Sequence, residues 1–495
     1  MNPVSLKFLL FFAALCVVYF AMPRRLRPLC LGVASAGFYL SAGWAGVPYL
    51  AFAAAVAYGA GRALGRVGKG RKALFAAAVI AELGVLFALK YFDFFAGLAG
   101  RAFGLSLPAL GAAAPLGISF YTFMAVGYLT DCYREMLEPE KNVGRFCLFL
   151  AFFPLVLQGP IARYGELSPA LNAGEGFDAE RITRGLWRML WGYFKKMVIA
   201  DRMGLMVDRV FADWAALPGW VSAVAVAGYA LQLYADFSGF MDIAIGGAQV
   251  LGITLPENFD TPYFSRTVPE FWRRWHVTLN TWFRDYLFYP LQRSKPFKKL
   301  AKRLKIRSKT AARTVPAILA MLAVWLLTGL WHGAAVHYVA WGVYYGILLS
   351  LSLGLEPLIA RIRKGMHWQS GHWAAKAFAN ARTAVILLGG YLLFRAESLS
   401  AARGMIGRIF AAPGGGIAPE TVGLTVFDIA VLIAGLGLLL LVDILHYNGR
   451  DPLGRIVRGP FVLRLVLGLA LCMAVVLLGM YGPGYDAGSF LYFQF

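Results

Sequence analysis

The chain has 495 residues, of which 59% are hydrophobic and only 15% charged, and its formal charge is +22. A soluble domain usually carries about 25% charged residues, and here the apolar residues gather in long runs, which excludes a water-soluble globular protein. Nucleic-acid binding is also excluded, because the positive charge sits in short segments between those runs, as expected of cytoplasmic loops in a membrane protein.

A bilayer-spanning helix needs about 20 mostly apolar residues. Runs near that length lie at 5–22, 28–45, 47–60, 73–92, 109–130, 146–162, 217–235, 314–331, 333–355, 378–394, 425–445 and 460–481. Several are short or broken by Gly and Pro. The pattern predicts an all-α membrane protein with about eleven spans plus re-entrant and interfacial helices. No linker long enough to separate domains is left, so residues 1–495 read as one membrane domain.

At the start of the first run the only charged side chain is Lys7, and Arg24, Arg25 and Arg27 follow the run. That order predicts a retained first helix with its N-terminus outside rather than a signal peptide. Five basic residues lie from Arg62 to Lys72. The glycines there, Gly65 to Gly70, lack phosphate-loop spacing and a preceding strand. The 131–145 loop is a weaker inside marker, since Asp131, Glu135, Glu138 and Glu140 outnumber its cations. Cys16, Cys30, Cys132, Cys147 and Cys472 show no paired spacing, which argues against a disulfide framework or a zinc site.

Residues 178–210 and 256–296 differ from the apolar runs by mixing Trp, Phe and Tyr with Arg, Lys and a few acids. Between them, Gln232, Tyr234, Asp236, Ser238 and Asp242 form a polar cluster in QLYADFSGFMD. Gln232 and Asp236 share a face if this segment is helical. Carboxylates in an apolar stretch need partners. They could line a tunnel, orient a histidine, or close a structural network. Pro269 to Leu291 reads PEFWRRWHVTLNTWFRDYLFYPL, with a helix-start signal at Pro269 and Glu270. This predicts one interfacial or protein-buried helix. It contains His276, which could be a catalytic base or part of an aromatic belt.

Ten Lys/Arg and no acid lie between Leu291 and Val315. This loop predicts a cytoplasmic face and can meet anionic lipid headgroups. Further basic loops lie near 357–376 and 446–459, whereas 42–46, 93–108, 397–424 and the C-terminus are expected outside. His332, between two apolar runs and followed by Gly333, is a candidate general base, because imidazole titrates near neutral pH. Its alternative is a structural hydrogen bond to a neighbouring helix. His337 reads as an external-face residue. His446 and Asp451 have a four-residue spacing without supporting context. There is no G-x-S-x-G elbow and no metal-ligand spacing.

YADFSG from Tyr234, PENFDTPYFSRTVPEFWRRWHVTLNTWFRDYLFYPL from Pro256 and TGLWHGAAVHYVAWGVYYG from Thr328 closely resemble the bacterial membrane-bound O-acyltransferase family. The nearest branch is the alginate O-acetyltransferase type, related to the teichoic-acid D-alanyl transferase. The resemblance runs from about Pro115 (PLGISFYTF) to the C-terminus. It implies a ring of membrane helices around a thin core with a tunnel, His332 as the catalytic residue, and His276 as a second functional histidine, with Trp331 beside the first. It also implies an acyl thioester donor on the cytoplasmic side (acetyl-CoA or an acyl-carrier protein), no tightly bound cofactor, and an acceptor hydroxyl outside.

The last six residues, Phe490 to Phe495, resemble the F-x-Y-x-x-F tail of these systems. That likeness implies Tyr492 as a transient acyl carrier, with Phe490 and Phe495 docking the tail. The alternative is an interfacial aromatic anchor. The expected function is O-acetylation of an extracytoplasmic polysaccharide such as alginate, at a bacterial inner membrane, completed by an exported SGNH-type partner. D-alanyl transfer to teichoic acid, peptidoglycan O-acetylation and, in another class, a transporter or flippase are the rivals.

Overall fold

In lipid, an apolar run satisfies its backbone within itself only as a helix, and helices are what these runs form. The computed structural model describes residues 1–365, 371–412 and 414–481. Its helices begin with α1 (Leu6–Ala21), α2 (Arg27–Leu40), α3 (Val47–Leu64), α4 (Arg71–Lys90), α5 (Phe92–Phe103) and α6 (Ile118–Tyr133). They continue with α7 (Val143–Ala151), α8 (Phe153–Val156), α9 (Tyr164–Ala173), α10 (Ala179–Tyr193), α11 (Asp201–Asp213) and α12 (Gly219–Val250). Next come α13 (Val268–Arg274), α14 (Val277–Phe283), α15 (Tyr289–Arg293), α16 (Lys295–Lys305), α17 (Lys309–His332) and α18 (Val336–Gly365). The last are α19 (Trp373–Arg395), α20 (Leu399–Ala411), α21 (Val426–Tyr447), α22 (Pro452–Arg458) and α23 (Phe461–Leu478).

Among the described residues, seven helical segments are long and apolar enough to cross a bilayer: Trp44–Leu64, Arg71–Lys90, Lys309–His332, Val336–Ile362, Trp373–Arg395, Val426–Tyr447 and Phe461–Leu478. The chain is thus an all-α, multi-pass membrane protein. Two of the apolar runs do not form single long helices. The run at 146–162 is broken around Phe152–Pro154 and again at Gly159-Pro160, leaving the short α7 and α8. The run at 109–130 becomes helical only from Ile118, and α6 is buried on nearly all sides, as a helix of the protein core.

The residues group into two compact units that interleave along the sequence. One holds Met1–Asp201, Tyr234–Glu257 and the described stretch from Arg450 onward, and the other Arg202–Leu233 and Asn258–Gly449. In the first unit, α10 and the later half of α12 meet at small residues. A Cβ added at Gly185 would lie 2.7 Å from the Gly246 carbonyl oxygen, and one at Gly239 would lie 2.9 Å from that of Gly192. Glycine lets two backbones approach this closely in a membrane interior. Directly after α10 the chain takes a π turn, Phe194–Ala200.

In the second unit, α17 and α18 form a hairpin. A Cβ at Gly329 would lie 3.2 Å from the Cα of Gly342, so the two helices cross backbone to backbone one turn before His332. The predicted single helix over 269–291 is not formed. It is divided into α13, α14, a π turn at Arg284–Phe288 and α15, and the break falls at Trp275-His276.

Candidate active site

His276 owes its position to a pairing between two loop segments. Asp260 N–H donates to the Arg274 carbonyl (2.9 Å) and Val277 N–H to that of Asn258 (3.0 Å), with an isolated bridge between Phe259 and Trp275. This small clasp turns the chain between α13 and α14 and holds His276 at φ 46°, in the left-handed region. Such a conformation is rare for a residue with a Cβ and marks sites where the surroundings over-determine the backbone. The Asn258 side-chain oxygen accepts from the Thr278 N–H (3.1 Å) and hydroxyl (2.9 Å) and lies 3.2 Å from His276 Nδ1. Because the backbone N–H can only donate, the amide oxygen is the atom facing the imidazole, so Nδ1 carries the hydrogen and Nε2 the lone pair. His276 is 1% exposed, and burial pushes its pKa down to about 3, so it is neutral at physiological pH.

His332 is the last residue of α17, and Gly333 leaves the helix in an extended conformation. A Cβ at Gly333 would collide with the Tyr338 ring, so the tight exit from α17 requires glycine. The imidazole is buried in an aromatic box. Its centroid lies 4.9 Å from the Trp331 ring, 4.9 Å from Trp341 on α18 and 5.1 Å from Phe394 on α19, each edge to face. Behind Trp341 stand Trp272, Trp325 and Tyr345.

Trp331 joins the two histidines. Its ring lies 5.9 Å from His276 and 4.9 Å from His332. Residues 56 apart in sequence are therefore neighbours of one indole, inside a water-poor aromatic surround. Such a setting suits proton transfer at a reactive carbonyl, since it strengthens polar interactions and keeps out competing water.

The polar cluster lies on a helix, α12. Gln232 is buried, and its amide nitrogen would lie 2.9 Å from a Cβ at Gly204. In the other unit, Tyr234 is buried, and the acids meet cations. Lys196 Nζ binds Asp236 (2.6 Å) and Asp201 (2.7 Å). Lys195 Nζ donates to the Ser238 hydroxyl (2.9 Å) and pairs with Asp242 (2.6 Å). Arg188 spans Asp242 (2.9 Å) and Glu257 (2.6 and 2.5 Å). These partners support the structural-network reading. The Lys196–Asp201 pair is five residues apart, a spacing that faces one side only in a π turn. Lys196→Met would leave two buried carboxylates without this cation, which typically costs about 3–5 kcal/mol. A marked drop in melting temperature in detergent is expected, partly restored by Lys196→Met with Asp236→Leu.

His337 is half-buried as the second residue of α18. Asp451 caps α22 by accepting from Gly454 N–H (2.9 Å) and binds Arg184 (2.7 Å), which accounts for that acid without chemistry. Tyr492, Phe490 and Phe495 lie outside the described residues. Among the described residues the five cysteines are free, and no three His, Cys, Asp or Glu side chains could hold a metal ion. Sequence reasoning missed Asn258, whose one available signal was an amide placed in a loop ahead of an aromatic, basic segment.

Comparison with known proteins bears on this arrangement. Residues 142–305 match the model of the membrane-bound O-acyltransferase family. The chain is 32% identical to a probable alginate O-acetylase of Pseudomonas syringae over 79% of its own length and 72% of the relative's. It is 28% identical to a peptidoglycan O-acetyltransferase of Helicobacter pylori, covering 66% and 64% of the two chains. Similarity to a teichoic acid D-alanyltransferase of Streptococcus thermophilus is 30% identity over 48% of this chain and 56% of that one.

Proposed function

The chain belongs to the membrane-bound O-acyltransferase family and is a membrane O-acyltransferase, and from that premise we propose that it carries acetyl groups outward for O-acetylation of an extracytoplasmic polysaccharide such as alginate. The donor is a cytoplasmic thioester, acetyl-CoA or an acyl-carrier protein, and the membrane is the bacterial inner membrane. The observation that carries this reading is the pair of buried histidines sharing Trp331 within one aromatic box. The acetyl assignment rests on likeness: the alginate O-acetylase relative is matched over more of this chain than the D-alanyltransferase.

His332 acts as the base. It takes the proton from an acceptor hydroxyl as that oxygen attacks the thioester carbonyl, and returns it to the sulfur as the C–S bond breaks. His276, neutral and fixed by Asn258, presents Nε2 as an acceptor that orients a hydroxyl group. The first acceptor is the Tyr492 phenol. An exported SGNH-type partner then passes the acetyl group to the polymer hydroxyl and regenerates the phenol.

The direct test measures ester-linked acetate on the exported polymer of a strain lacking this chain, with and without the wild-type gene. Restoration of acetate is expected. Restoration of D-alanine esters instead would replace acetyl by D-alanyl transfer, and restoration of neither would overturn the reading.

Two narrower outcomes follow. Asn258→Leu removes the acceptor that orients His276 and should slow transfer about 10²-fold, the scale of a small misplacement of a reacting group. Asn258→Asp keeps an acceptor there and should retain most activity in the same acetate assay. Direction is tested by labelling single cysteines from outside on a background lacking the five native ones. Ser489→Cys should react and Ser308→Cys should not.

A further inference from the structure

The ten cations from Arg293 to Arg313 are all exposed, and among the described residues none of them meets a carboxylate. They are arranged around α16. Phe297, Leu300, Ala301 and Leu304 fall at i, i+3, i+4 and i+7, a single helical stripe. All four are half-buried, and the helix packs against α15 and α17. Lys295, Lys298, Lys299, Lys302, Arg303 and Lys305 occupy the rest of the surface. Ile306, directly after the helix, is 87% exposed in the midst of this charge.

The position of α16 is fixed by chain length. Three residues, Ile306 to Ser308, separate its end from α17, a candidate membrane span. Three residues reach at most about 10 Å. Wherever the polar end of α17 leaves the membrane, Arg303 and Lys305 at the end of α16, with Arg307 and Lys309, lie within roughly one to two Debye lengths of the headgroup plane at moderate salt, and the rest of α16 reaches at most about 16 Å further. A surface of this charge, so close to a lipid leaflet and with an apolar residue protruding from it, has the composition of a headgroup-binding element.

We propose that α16 and its flanks form a binding surface for anionic phospholipid headgroups, with Ile306 entering the headgroup–acyl boundary. The bound lipid neutralises the cation cluster and anchors the polar end of α17, whose other end carries His332. This assignment is independent of which acyl group or acceptor the enzyme uses.

The test uses the full chain purified in detergent and titrated with phosphatidylglycerol or phosphatidylcholine, with bound lipid counted by native mass spectrometry. The wild type should bind phosphatidylglycerol and discriminate against phosphatidylcholine, and binding should weaken sharply between 0.1 M and 1 M salt as the screening length falls from about 10 to 3 Å. Replacing Lys298, Lys299, Lys302 and Arg303 together by Gln should weaken binding by about five-fold for each cation removed. These side chains are exposed, so a monodisperse variant is expected, and the salt titration of the wild type tests the proposal without any variant. Phosphatidylglycerol binding that is insensitive to both salt and the four substitutions would overturn it. So would a variant that keeps its lipid but shows a raised KM for a polyanionic acyl donor, since the surface would then be a donor dock.

Discussion

His332→Ala should lower acyl transfer by about 10²–10⁴-fold, the usual contribution of a positioned general base, with the protein still present in the membrane. The imidazole touches Trp331, Trp341 and Phe394 edge to face, so truncation also opens a cavity. His332→Gln fills more of that volume while removing the titratable nitrogen pair, and it separates chemistry from packing. Both variants should leave exported polymer with background acetate. Only the alanine variant should show a lower melting temperature. Normal acetylation by the Gln variant would remove His332 from the mechanism, whatever its packing role.

Tyr492→Phe should abolish nearly all transfer to polymer while leaving membrane abundance unchanged. Phenylalanine preserves the ring and its apolar contacts and removes only the nucleophilic oxygen, so a tail that merely anchors would be unaffected. An aryl ester is a reasonable transient carrier, since phenolate is a better leaving group than an alkoxide. In a strain lacking the exported partner, intact-mass analysis of the wild type should find one added acetyl group on the C-terminal peptide, absent in Tyr492→Phe. Full acetylation by the variant would make the tail an anchor and send the acyl group directly to an acceptor near His332.

The membrane class, the helical character and the two histidine segments were legible from composition, run length and motif. What was not legible depends on contacts between distant residues. Nothing in Trp275-His276 resembles a helix breaker. The left-handed turn there is imposed by Asn258 to Asp260, whose pairing with residues 274–277 has no signature in a local window. The short helices α7 and α8 follow from Pro154 and Gly159-Pro160, which break an apolar run that hydropathy alone treats as continuous. The acids on α12 were visible as needing partners, but their cations lie about forty residues earlier, on a segment that reads only as mixed aromatic and basic.

The π turn at Phe194–Ala200 makes chain length itself a constrained property. A regular α-helix advances about 100° per residue, so a single-residue deletion within this turn could still leave an uninterrupted helix. Between Lys196 and Asp201 such a loss would leave the pair four apart, a spacing that shares one face of a regular α-helix, so their contact could be kept. An insertion there would set them six apart, on different faces. Substitutions along this stretch can be absorbed one side chain at a time, and so can the loss of one residue, but not a gain. Homologous sequences should therefore align between residues 196 and 201 with no residue added.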